Sequence, residues 1–94
     1  MASYTIKVQL EGDPSYERYE SLHAAMAELG FFKTIQGPNG VFDLPHGIYF
    51  GESMFEAKML RDILKVAVQA KVQSAIQLFV AETLAWGIFG NLHE

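Results

Sequence analysis

The chain contains no cysteine, which excludes structural disulfides, thiolate zinc sites, iron–sulfur clusters and cysteine nucleophiles, and leaves the fold with no need of an oxidising compartment. Long hydrophobic runs are also missing. The longest charge-free stretches, 72–81 and 83–93, fall short of the ~20 residues that span a bilayer as a helix. The first residues lack the basic and apolar regions of a secretory signal, so the expected location is the cytoplasm. Positive charge is scarce, with seven Lys and Arg against eleven Asp and Glu, and three of the basic and seven of the acidic residues fall within 1–52. Such a balance predicts weak nonspecific attraction to nucleic acid. Phosphate-loop, dinucleotide-binding, nucleophile-elbow and zincin motifs are all absent, which removes the enzyme classes that depend on them.

What is present is a 94-residue chain that is 50% hydrophobic with a net charge of only -4, enough for one core and outside the composition of disordered chains. Tyr4, Ile6, Val8 and Leu10 alternate with Thr5, Lys7, Gln9 and Glu11, the period of a strand buried on one face. Asp13 and Pro14 read as the N-cap and first position of a helix over 15–29. Tyr16, Tyr19, Leu22, Met26 and Leu29 form its apolar stripe, and Gly30 closes it. Residues 31–36 read as a strand turning at Gly37-Pro38-Asn39-Gly40 into a second run over 41–44. A further extended stretch covers 48–51. Ser53 and Glu56 have the spacing of a capping box for a second helix, whose apolar residues are taken as Phe55, Met59, Leu60, Ile63, Leu64, Val66, Ala67 and Ala70. Ile76, Leu78 and Val80 on one side, with Gln77 and Phe79 on the other, mark the last strand.

The order β-α-β-β-α-β predicts an α+β, ferredoxin-like sandwich, with two helices on one face of an antiparallel sheet and the whole of 1–94 as a single domain. Residues 82–94 make an apolar tail, available as an extra strand. It either folds back over its own open sheet face or pairs with the sheet edge of a second copy, and a homodimer is the favoured expectation.

Chemistry-bearing residues are few. His23, His46 and His93 show no helical i, i+4 pairing, so no metal site and no cofactor are expected. His23 reads as a packed helix histidine, whereas His46 lies in a loop bounded by Pro45 and Gly47, where functional groups are commonly displayed. Glu11 and Asp13 read as a solvated carboxylate and a cap rather than as ligands. Lys58, Arg61 and Lys65 read as a solvated helix face. Lys7 and Lys33, beside Phe79, are expected to form a small basic–aromatic platform on the open sheet face, of the kind RNA-binding sheets use. No small-molecule ligand is inferred.

The opening Tyr-Thr-Ile-Lys-Val-Gln-Leu, the helix 19–26, Leu29-Gly30-Phe31, Leu44-Pro45, the segment 49–53 and Trp86 together resemble the GhoS antitoxin family of type V toxin–antitoxin systems. The likeness is one of segment order and texture and carries no active-site motif. It implies a ferredoxin-like endoribonuclease that engages RNA. For such cleavage the 2′-hydroxyl is the nucleophile, and the chain supplies a base, for which His46 is the candidate, and a phosphate-binding cation, for which Lys7 and Lys33 are the candidates. The alternative expectation is a non-catalytic homodimeric interaction module.

Overall fold

The computed structural model describes residues 1–12 and 14–93. The elements run β1 (Ala2–Leu10), α1 (Tyr16–Glu28), β2 (Phe31–Phe32), β3 (Thr34–Gly37), β4 (Gly40–Asp43), β5 (Ile48–Ser53), α2 (Ala57–Val72) and β6 (Ile76–Glu82). β1 lies inside a four-stranded sheet of order β2-β5-β1-β6, with every pairing antiparallel, and β3 and β4 form a separate two-stranded hairpin. Two helices on a mostly antiparallel sheet make an α+β fold compatible with the ferredoxin-like arrangement. Among the described residues no helix is long and apolar enough to cross a membrane.

The alternation of β1 does what its period dictates. Tyr4, Ile6, Val8 and Leu10 are buried with Tyr49 of β5 and Phe31 of β2, and with Leu22, Met26, Leu60, Leu64, Val68 and Val72 of the helices. Thr5, Lys7 and Gln9 point to the other face, opposite Ala81, Phe79 and Gln77 of β6. Ile76, Leu78 and Val80 pack against the core only in part, because β6 is an edge strand. Tyr4 carries its hydroxyl into this core and donates it to the Phe55 carbonyl at 2.7 Å, satisfying a group that would be costly to bury alone.

The structure corrects several sequence expectations. Helix α1 starts at Tyr16, and Ser15 is its cap, its hydroxyl accepting from Arg18 N; the cap assigned to Asp13 lies outside the described residues. Tyr16 is exposed, and Ala25 joins Leu22 and Met26 in the interior. The expected strand over 31–36 is broken at Lys33, whose carbonyl accepts from Leu44 N at 2.7 Å. That bond draws the chain out of the main sheet after two residues and into the hairpin. Glu56, not Ser53, caps α2 by accepting from Met59 N at 3.3 Å, while Ser53 Oγ accepts from Phe55 N at 3.1 Å. The buried stripe of α2 is Leu60, Leu64, Val68 and Val72, whereas Phe55, Met59, Ile63 and Val66 are exposed. Two apolar stripes compete on this helix, and contact with the sheet selects one.

The tail takes the fold-back course within the chain. Thr83 N donates to Ser3 O at 2.8 Å and its hydroxyl shares a 2.6 Å bond with that of Thr5. At the far end His93 N donates to Val41 O at 2.8 Å, Asp43 N to Asn91 O at 3.2 Å, and His93 Nδ1 pairs with Asp43 at 2.7 Å. Among the described residues the tail forms a single isolated bridge, Phe42–Leu92, so its described part is a strap rather than an extra strand.

Gly51 sets how closely β2 and β5 approach. A Cβ there would collide with the backbone carbonyl of Gly30 and the Phe31 ring, neither of which can yield without moving β2. Gly87 in the strap meets nothing within 4 Å. Gly51→Ala is therefore expected to cost about 1–3 kcal/mol or more through overpacking, and Gly87→Ala to stay within ~0.5 kcal/mol of neutral. Urea unfolding of both variants checks the contrast.

Candidate functional site

The loop entering β5 is shaped by two backbone bonds, Ile48 N to Pro45 O at 3.1 Å and Val8 N to Gly47 O at 2.8 Å. Gly47 has φ +81°, a left-handed conformation that favours glycine, and a Cβ on it would come within 2.7 Å of Lys7 Nζ and 3.0 Å of the Val8 carbonyl oxygen. Lys7 thus reaches from the open sheet face and donates to the His46 carbonyl at 3.0 Å. The His46 ring meets Tyr19 of α1 edge-on, with centroids 5.0 Å apart. One helical turn on, His23 lies on the same side of α1 as Tyr19. Its Nδ1 shares a 2.5 Å hydrogen bond with the hydroxyl of Tyr49, which β5 points into the core two residues before Gly51.

These contacts form two neighbouring sets where α1, β1 and β5 meet, Lys7 with His46 and Tyr19, and His23 with Tyr49. Tyr49 is paired only on its β1 side, since β2 reaches no further along β5 than Phe50. His23 is half-buried, and its pKa is lowered by desolvation, then by the charge of Lys33, with His46 adding to the effect and Glu20 opposing it. These effects favour the neutral imidazole. Burial, with Tyr19 adding, pushes the Tyr49 hydroxyl well above the usual phenol range. Tyr49 consequently stays a neutral hydrogen-bonding partner that orients the His23 ring.

The sequence-nominated residues divide. Lys7 and His46 are in direct contact, and Lys33 acts on His23 through its charge. The platform of Lys7, Lys33 and Phe79 is only half present: Lys7 faces Phe79 across β1 and β6, but Lys33 follows β2, at the opposite edge of the sheet. Phe79 is 65% exposed, and the strap crosses the other half of the sheet. Glu11 is solvent-exposed, and Arg61 on the outer face of α2 pairs with its neighbour Asp62 at 3.0 Å. Among the described residues no three His, Asp or Glu side chains gather into a metal-sized group. His23, Tyr19 and Tyr49 went unnominated. The Tyr19–His23 spacing and the inward phase of Tyr49 were the available signals, but the contact joining them spans two elements.

No protein-family model matches the chain, and no curated protein is significantly similar to it. The site is therefore read from its own geometry. Because the folded state holds His23 below its ordinary pKa, the unfolded chain binds the extra proton first. His23 thus contributes stability that is full above pH ~6.5 and is lost as pH falls through its folded value. NMR titration of the imidazole should show a midpoint below 6.5 that moves upward in Lys33→Ala; an unmoved midpoint would remove Lys33 from the site.

Proposed function

We propose that this protein engages RNA in the manner of an antitoxin-type endoribonuclease, cleaving the strand with its own side chains. The observation that supports this reading is the meeting of Lys7 with the His46 loop and the packing of His46 and His23 on one side of α1 and β5, with Lys33 acting on His23 through its charge. Two imidazoles allow one to take a proton while the other gives one, and the flanking ammoniums suit a phosphate. In the tautomer whose Nδ1–H donates to Tyr49, His23 leaves Nε2 free to accept the proton of the ribose 2′-hydroxyl. The resulting oxyanion attacks phosphorus, the bond to the 5′-oxygen breaks, and His46 protonates that leaving oxygen, so the products are a 2′,3′-cyclic phosphate and a 5′-hydroxyl. The exposed Phe79, beside Lys7 and flanked by Gln9 and Gln77, offers a stacking surface for an adjacent base.

The test is incubation of purified protein with end-labelled RNA, with and without chelator. Cleavage should persist in chelator and yield cyclic phosphate ends. His23→Ala and the combined Lys7→Ala, Lys33→Ala, His46→Ala variant should each lose at least ~10²-fold in rate while keeping wild-type circular dichroism. Undiminished cleavage by the folded triple variant would remove this site.

A second reading, a homodimeric interaction module, is favoured by one observation. Among the described residues β6 has no strand partner on its outer side, and it carries exposed Phe79 and leads into Leu84, 91% exposed. An edge with so little charge is suited to pair with a second copy. Sedimentation should then show a dimer that Phe79→Glu with Leu84→Glu converts to a monomer. A wild-type monomer at high concentration would dismiss this reading.

A further inference from the structure

Between the strap and the open sheet face lies a cavity of about 330 Å³. We infer that it is a binding site for a small, uncharged, largely aromatic or branched apolar molecule, admitted by lifting of the strap. Its floor is Thr5 of β1 with Ile48 and Phe50 of β5; Ile35 of the hairpin forms one wall, and Trp86 and Ile88 of the strap form the roof. None of the residues around it is charged, so an ionic ligand would lose its hydration without a counter-charge. The volume falls within the range of small-molecule sites, and an apolar lining with few polar groups is their usual composition. The one polar side chain lining it is Thr5, whose hydroxyl is already bonded to that of Thr83 outside the cavity, which fits a ligand bearing at most a hydroxyl or carbonyl.

The strap supplies the means of entry. It is pinned at Thr83 and again at Asn91–His93. Among the described residues, neither a backbone nor a side-chain hydrogen bond ties 84–90 to the body. Its middle is held by apolar contact alone, and Gly87 and Gly90 have open space around them. Trp86 remains 41% exposed and Phe89 is fully exposed, so a ligand filling the cavity would give both rings further apolar surface to cover. This site lies on the hairpin side of the sheet, apart from Phe79 and independent of the RNA reading.

Trp86 is the chain's single tryptophan, and it serves as a reporter in the wall. The experiment is titration of the full-length protein with the neutral fluorophore N-phenyl-1-naphthylamine, exciting tryptophan. The expected result is saturable binding of one probe per chain with energy transfer from Trp86. Affinity should fall at least tenfold in Ile88→Arg, which alters only the strap, and likewise in Leu44→Arg at the cavity wall. Circular dichroism identifies any variant that fails to fold, and Ile88→Arg remains decisive if Leu44→Arg does. Binding without transfer from Trp86, or of unchanged affinity in folded Ile88→Arg, would overturn the assignment. Affinity that declines as protein concentration rises would assign the cavity to a second copy and would equally overturn it.

Discussion

The approach of the Gly30 carbonyl to Gly51 is the contact around which the rest of the molecule is arranged. It allows β2 to dock against β5 with no side chain between them, and it follows directly on the end of α1, where Gly30, next after the Leu29 cap, has φ +90°. The docking lasts only for Phe31 and Phe32. The bond from Leu44 N to Lys33 O then turns the chain outward into the β3–β4 hairpin. Before Phe50, the start of β5 is paired with β1 alone, and beside it lie Tyr49, the His46 loop and the charge of Lys33. A longer β2 would complete the sheet and close the opening.

The same departure determines the two surfaces. On the helix side it leaves His23 half-buried against Tyr49 and under the charge of Lys33, where a neutral imidazole is favoured. On the open side it supplies a hairpin against which the strap can fasten, so the β5 half of that face is roofed while the β1–β6 half, with Lys7 and Phe79, stays uncovered. The net charge of -4 therefore says little about this region. Its local character comes from two lysines drawn in from opposite directions, one from within the sheet and one from the hairpin root. Charges so placed act over a Debye length of ~10 Å at most, which suits a single phosphate group better than a long backbone.

Much of the frame was legible in the residues. The alternation of Tyr4, Ile6, Val8 and Leu10 identified the central strand and its buried face, and Gln77 and Phe79 were correctly set on the face opposite Ile76, Leu78 and Val80. Helix phase was less legible. Met59, Ile63 and Val66 compete with Leu60, Leu64 and Val68 at almost the same spacing, and the winner is decided by which side meets β1 and β6. The residues that cap the helix starts were less legible for a related reason, since Ser15 and Glu56 occupy the capping geometry only once the preceding turns are set by tertiary contacts, whereas Gly30 was legible as the left-handed residue that closes α1. At the site, His46, Lys7 and Lys33 could be nominated individually from type and loop context. The link through Tyr19, His23 and Tyr49 could not, because it exists only when α1 has packed on β5.

The central claim is that His23, His46, Lys7 and Lys33 meet one phosphate-bearing ligand. Its most direct test is NMR mapping with a short 2′-O-methyl oligoribonucleotide, which binds as RNA does but offers no nucleophile. The account predicts that the imidazole signals of His23 and His46 and the ammonium signals of Lys7 and Lys33 shift together along one saturation curve. Shifts confined to Phe79 and β6, with both imidazoles unmoved at saturation, would contradict it.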